Sequence, residues 1–227
     1  MTRLFSLLIL LSIIIGAFLS LKPGGGKSTV AVSGLPWQIE VLPDGRSKVF
    51  GVTLGQDTLG QAREQLGPDM QLAIISASAN DYSLEMYYNR YTAGVFSGKL
   101  VLGAEPEAEQ LAQMLERSTK TSYMESGARK FRLHPDDLPL AWRATVQSLT
   151  FIPTVNLDQP TAIKRFGRPA EIINSNEQTT HLLYPDKGLD LILNEDGKDI
   201  LQYVAPGEFY RLRDPLPGDP DLQDVNK

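Results

Sequence analysis

The chain has 227 residues, no cysteine, two histidines and a formal net charge of −5. The missing cysteine excludes a disulfide framework, a thiolate zinc site, a cysteine nucleophile and lipoprotein acylation together. The acidic balance argues against nucleic acid, whose phosphates are held by clustered Lys and Arg.

Residues 4–21, LFSLLILLSIIIGAFLSL, form a run of 18 residues without a charge. At roughly 1.5 Å per residue it covers about 27 Å, close to the hydrocarbon thickness of a bilayer, and is expected to be a transmembrane helix. An N-terminal span ahead of a mostly polar chain sends the remainder outward, so the expected address is the inner membrane, single pass, with the C-terminal part in the periplasm. The alternative is a secretory signal that is cut to release the protein into the periplasm. Cleavage wants small residues at the last and third-last positions before the cut. Phe18 stands third-last for a cut after Ser20, and Ile15 for one after Ala17, which favours a retained anchor over residues 1–21.

The next stretch, KPGGGKST (residues 22–29), ends like a nucleotide-binding P-loop. A P-loop needs a glycine where Leu21 stands, and a strand before and a helix after the loop. Both requirements fail, so no nucleotide is expected and residues 22–35 read as a flexible linker. Residues 37–54 then read as a hairpin turning at Pro43-Asp44-Gly45.

An internal repeat organises most of the remaining chain. Residues 54–74 and 155–173 share a pattern: an N-cap candidate (Asp57 or Asp158), apolar residues a helical turn apart, and Leu66-Gly67 or Phe166-Gly167 with a proline soon after. Leu59, Ala62 and Leu66 form the stripe in one copy, and Ala162, Ile163 and Phe166 in the other. Each glycine suits a left-handed C-terminal cap. An apolar alternation comes next, Tyr82, Leu84, Met86 and Tyr88 in the first copy, which predicts a half-buried strand with Tyr87 on the opposite face. Hairpin turns are expected at Ser97-Gly98 and at residues 194–197, each leading through a lysine, Lys99 or Lys198, into an apolar strand.

Between the copies, residues 105–120 predict a helix with Ala108, Leu111, Met114 and Leu115 on its core face. Residues 126–151 are locally basic, with Arg129, Lys130, Arg132 and Arg143 around Trp142, and read as a solvated connector or a surface for lipid headgroups or an acidic partner. The proline-rich acidic residues 214–227 read as a disordered tail.

The repeat unit, carried by residues 53–68 with Gly98-Lys99 and by residues 156–169 with Gly197-Lys198, resembles the outer-membrane lipoprotein assembly-factor and β-lactamase-inhibitor-protein-like family of envelope modules. The resemblance implies a helix packed on an antiparallel sheet and contacts with other envelope proteins. The lipid-bearing cysteine of that family is absent here, and no catalytic residue carries over.

Hydrolase signatures such as G-x-S-x-G and H-E-x-x-H do not occur. His134 with Asp136 and Asp137, in HPDDLP, comes nearest to a catalytic cluster, but one aspartate capping a helix before Leu138 explains it more simply. Neither His134 nor His181 has an evident second ligand, so no metal, catalytic residue or cofactor is expected. Tyr87, Arg90 and Tyr91 are the candidate interaction surface, because tyrosine and arginine combine contact area with hydrogen bonding.

The expectation is thus an α+β protein: a transmembrane helix followed by two related modules, residues 36–125 and 151–213, joined by a connector, 126–150. Its expected role is non-catalytic binding or scaffolding of envelope proteins. The alternative is an envelope hydrolase or carbohydrate-modifying enzyme with its site at the module junction.

Overall fold

The computed structural model describes residues 34–78, 81–124 and 126–217. The apolar run, nearly all of the linker and residues 218–227 of the expected tail lie outside them. Among the described residues no helix is long and apolar enough to cross a membrane.

Strands β1 (Glu40–Val41), β2 (Ser47–Val49) and β3 (Val52–Thr53) form a small antiparallel sheet. Its first turn closes where Pro43-Asp44-Gly45 predicts, with the Gly45 N–H donating to the Leu42 carbonyl. Gly45 has φ 82°, which costs glycine nothing. Helix α1 (Leu59–Leu66) starts one residue later than the sequence suggests. Thr58, not Asp57, is its cap, in a reciprocal box with Gln61. The Asp57 carboxylate instead accepts the Thr53 N–H at 2.7 Å and ties down the loop ahead of the helix.

A meander of β4 (Gln71–Ser78), β5 (Asp81–Ala93) and β6 (Phe96–Glu105) comes after α1. Leu84, Met86 and Tyr88 are buried, as their alternation predicts. The β5–β6 turn is at Gly94-Val95, so Ser97 and Gly98 lie inside β6 rather than at a hairpin tip. Gly98 is needed for packing: a Cβ there would strike the Ile152 carbonyl oxygen and come within 2.7 Å of the Phe151 ring. Helix α2 (Ala108–Glu116) is shorter than expected, burying Met114 and half-burying Leu111 and Leu115 while Ala108 stays exposed. Lys120 belongs to the next strand, β7 (Lys120–Tyr123).

The expected connector is part of the sheet. It supplies β8 (Arg129–Arg132), the short helix α3 (Leu138–Ala141) and most of β9 (Thr145–Pro153). Helix α4 (Gln159–Phe166) is capped as predicted, the Asp158 carboxylate accepting the Thr161 N–H at 2.6 Å. Four strands complete the sheet: β10 (Glu171–Asn176), β11 (Thr179–Tyr184), β12 (Leu189–Asn194) and β13 (Ile200–Val204). The final helix, α5 (Tyr210–Arg213), continues into packed chain, since Leu216 joins the cluster of Phe209 and Leu212. The ordered fold therefore runs into the stretch that reads as tail.

All ten large strands pair antiparallel in the order β10-β11-β12-β13-β9-β6-β5-β4-β8-β7. The first eight in this order, β10 to β4, repeat about the β13–β9 junction. Phe151 of β9 faces Leu201 of β13, and Tyr203 of β13 faces Leu149 of β9, so the pairing register is its own mirror about the Thr150–Gln202 pair. Tyr88 faces Leu100, which faces Phe151; likewise Tyr184 faces Leu189, which faces Tyr203. The repeats thus match as α1-β4-β5-β6-β9 and α4-β10-β11-β12-β13, with α2, β7, β8 and α3 inserted in the first.

The helix ends carry the same relation. Gly67 (φ 100°, ψ 168°) and Gly167 (φ 90°, ψ −175°) cap α1 and α4 with positive φ but an extended ψ, not the left-handed helical conformation. This region is open essentially to glycine alone. Each cap carbonyl accepts a tyrosine hydroxyl from the equivalent strand position, Tyr88 to Gly67 at 2.8 Å and Tyr184 to Gly167 at 3.0 Å.

The two repeats share one core rather than two. The helices α1 and α4 and the small sheet cover one face of the large sheet, and a single cluster runs from Leu59 and Leu84 through Leu149 to Phe166 and Tyr184. Trp37 meets Phe96 of the first repeat and Phe166 of the second edge-on, with centroids 5.0 and 6.2 Å apart.

Candidate functional site

Side chains alternate across a strand, so residues not facing the helices lie on the opposite, outer face of the sheet. The pairing register lines one row of them up across both repeats: Glu171, Leu183, Asp190, Gln202, Thr150, Val101, Tyr87 and Gln71. Under the internal two-fold relation Glu171 corresponds to Gln71 and Leu183 to Tyr87. In the adjoining row Ile173 corresponds to Ala73, and His181 to Glu85. Equivalent positions have taken different chemistry.

In the second repeat this face is covered. The segment after β13 lays Phe209, Leu212 and Leu216 on Ile173, Leu183 and Val204. Arg213 donates twice to Glu171, at 2.9 and 2.8 Å, and Arg211 pairs with Glu105. Beneath lies a buried pair, His181 Nδ1 and Asp190 Oδ2 at 2.8 Å. Burial raises the Asp190 pKa, with the imidazole pulling the other way. Its Oδ1 has no hydrogen-bond partner among the described residues. The pair is closed to solvent, His181 being 7 % and Asp190 1 % exposed, so it offers no acid or base to a substrate.

In the first repeat the same face is open and holds a cavity of about 370 Å³. Ala73, Ile75 and Tyr87 supply apolar floor, Tyr123 and Met124 one wall, and Lys99 and Lys130 the cationic rim. Tyr123 is 79 % exposed. The Lys130 ammonium donates to Gln71 Oε1 at 2.6 Å. On the edge strands, Lys120, Lys130 and Arg132 share this face and line a smaller adjoining hollow of about 120 Å³. Glu85 is half-buried in the floor. Its pKa is raised first by burial and further by Asp81, while the Ser83 hydroxyl, donating at 2.8 Å, lowers it.

The three residues of the predicted surface do not converge. Tyr87 lies on the cavity floor, and its hydroxyl donates to Asn89 Oδ1 at 2.9 Å. The pairing slips between Tyr88 and Tyr91. Tyr91 meets Phe50 and Tyr88 edge-on on the helix side, with centroids 5.5 and 6.2 Å away. Arg90 is exposed in between. Sequence reading passed over Glu85 and Tyr123, took Lys99 only as the residue after a hairpin turn, and placed Lys130 in a connector. Only Lys130 left a signal, as part of the basic stretch.

The HPDD cluster is an ion-pair clamp. Arg117 reaches Asp137 at 3.3 Å and Asp136 at 3.4 Å. The expected aspartate cap of α3 does not form. Instead the His134 ring nitrogen accepts the Asp136 N–H at 3.3 Å, starting a short 3₁₀ turn. None of the three residues lines either cavity on the outer face. Among the described residues no three His, Asp or Glu side chains gather as metal ligands.

Compared with known protein families, with characterised proteins and with solved structures, the chain shows no significant match.

Proposed function

We propose that the protein is a non-catalytic binding or scaffold protein of the cell envelope, held in the inner membrane by residues 4–21 and displaying the α+β body in the periplasm on the linker. The observation that carries this reading is the open cavity on the outer face of the first repeat, apolar in its floor and cationic at its rim, beside the exposed Tyr123. Apolar floors with a few polar groups at the edge are how proteins hold ligands and partner side chains. The enzyme alternative draws no support from the HPDD residues, which Arg117 engages away from this cavity. The resemblance of the repeat to envelope modules used for protein contacts points the same way.

Photocrosslinking in living cells tests the proposal. A photoreactive residue replacing Tyr123 is expected to capture other envelope proteins. Capture of nothing but the protein itself, from Tyr123 and from control positions alike, would overturn it.

A further inference from the structure

We infer that the open face of the first repeat docks a short acidic, amphipathic peptide segment of a partner protein, in the way the second repeat docks the chain's own C-terminal segment. This rests on the binding reading above and names the partner's chemistry.

The molecule supplies its own template. In the second repeat the occupant is a short segment that places apolar side chains on Ile173, Leu183 and Val204 and anchors itself by Arg213 on Glu171. The equivalent floor in the first repeat includes Ala73 for Ile173 and Tyr87 for Leu183, and both line the cavity. A small residue replaces a large one at the first position, so the depression has room where the second repeat is filled. Tyr87 and Tyr123 add aromatic surface of the kind that anchors peptide side chains.

The anchor is reversed in charge. Where the second repeat offers the Glu171 carboxylate to an arginine, the first offers the amide of Gln71 with Lys130 against it. Lys120, Arg132 and Lys99 extend the positive rim on the same face. Among the described residues Glu85 is the one acid in the cavity lining, and the Ser83 hydroxyl engages it on the floor. An arginine-bearing segment like the chain's own would meet like charge here, whereas a carboxylate in its place would meet Lys130 and the neighbouring Lys120 and Arg132. Charge complementarity of this kind sets both orientation and partner choice.

The test uses the full chain in detergent micelles and fluorescently labelled peptides read by anisotropy. One peptide has the sequence of residues 205–217, and a second carries Arg211→Glu and Arg213→Glu. The acidic peptide is expected to bind at least about tenfold more tightly than the native one, with the preference shrinking as salt rises. Lys130→Glu is expected to weaken it about tenfold or more, and Lys48→Glu, on the small sheet, to leave it unchanged. Equal affinity for the two peptides, no binding of the acidic one, or indifference to Lys130→Glu would overturn the inference. Photocrosslinks in cells separate this failure from that of the wider proposal. Partners captured from Val155 but not from Tyr123 would keep the binding role and sink this site, whereas capture of an acidic segment from Tyr123 supports both.

Discussion

Replacing Tyr88 or Tyr184 by phenylalanine removes one oxygen from each repeat and tests the internal symmetry directly. Each hydroxyl donates to the carbonyl of a helix-capping glycine, at 2.8 Å for Tyr88 and 3.0 Å for Tyr184. The ring positions are unchanged in Phe, so the loss is the hydrogen bond and the hydration state of the abandoned acceptor. Gly67 is half-buried, which leaves its carbonyl poorly hydrated and puts the cost of Tyr88→Phe at about 1–2 kcal/mol. Gly167 is exposed, water can take the hydroxyl's place, and Tyr184→Phe should cost only about 0.5–1 kcal/mol. For a fold of this size each kcal/mol lowers Tm by about 2–4 °C. The two sites share no hydrogen-bond partner, so the double variant should show the sum within about 0.5 kcal/mol. Thermal and urea unfolding followed by tryptophan fluorescence and circular dichroism measures all three. Burial pushes both phenols up to about 12 from the ordinary 10. The folded state therefore holds these protons more tightly than the unfolded one. The stabilisation is fully present below pH 10 and is lost as pH rises through 12, so the advantage of Tyr over Phe should shrink across that window. Neutral single variants, or a larger cost at Tyr184 than at Tyr88, would refute the reasoning.

Two glycine substitutions should fail for different reasons. Gly67→Ala has open space for its Cβ and should cost about 1–3 kcal/mol through backbone conformation alone, with no second-site repair. Gly98→Ala should cost about 1–3 kcal/mol by crowding the Ile152 carbonyl and the Phe151 ring, and Phe151→Leu should recover part of it in the same unfolding assay. Glu85→Gln tests the cavity floor. Burial raises the Glu85 pKa above its ordinary 4.5, so the folded wild type loses stability as pH climbs from that value through the raised one. The glutamine variant does not titrate there, and its Tm relative to wild type should be higher at pH 7 than at pH 4. A pH-independent difference would mean that the carboxyl is solvated.

Local features of the chain were legible because their physics is local. Asp158 caps α4, Pro43-Asp44-Gly45 turns a hairpin, and the alternation through Leu84, Met86 and Tyr88 faces the core. The correspondence between the two halves was legible too, but its landmarks were misplaced. Gly98 and Gly197 lie 31 and 30 residues beyond Gly67 and Gly167, a near match that is not a structural equivalence. Gly98 sits within β6, whereas Gly197 lies in the loop between β12 and β13. Glycine serves turns and close packing alike, and sequence spacing does not distinguish them. The landmarks that do correspond are Tyr88 and Tyr184, which stand 21 and 17 residues beyond their glycines because the β4–β5 and β10–β11 hairpins differ in length. Their equivalence appears only once Gln71 is paired with Tyr87, and Glu171 with Leu183.

The candidate site was hidden for a related reason. Glu85, Lys99, Tyr123 and Lys130 come from four strands, and strand pairing rather than any motif brings them to one cavity. Residue type and nearness in sequence group Tyr87 with Arg90 and Tyr91, whereas the slip in pairing between Tyr88 and Tyr91 turns the last of them toward Phe50. A sheet whose halves correspond offers two versions of each face, and an occupant held by one shows what that geometry can accept. Here the second copy accepts a segment of the chain itself through Glu171 and Arg213, while the first has exchanged that acid for Gln71 and gathered lysines around it. An apolar floor edged by Lys99 and Lys130 would receive such a segment only with its charge reversed, which is the contrast the two labelled peptides read.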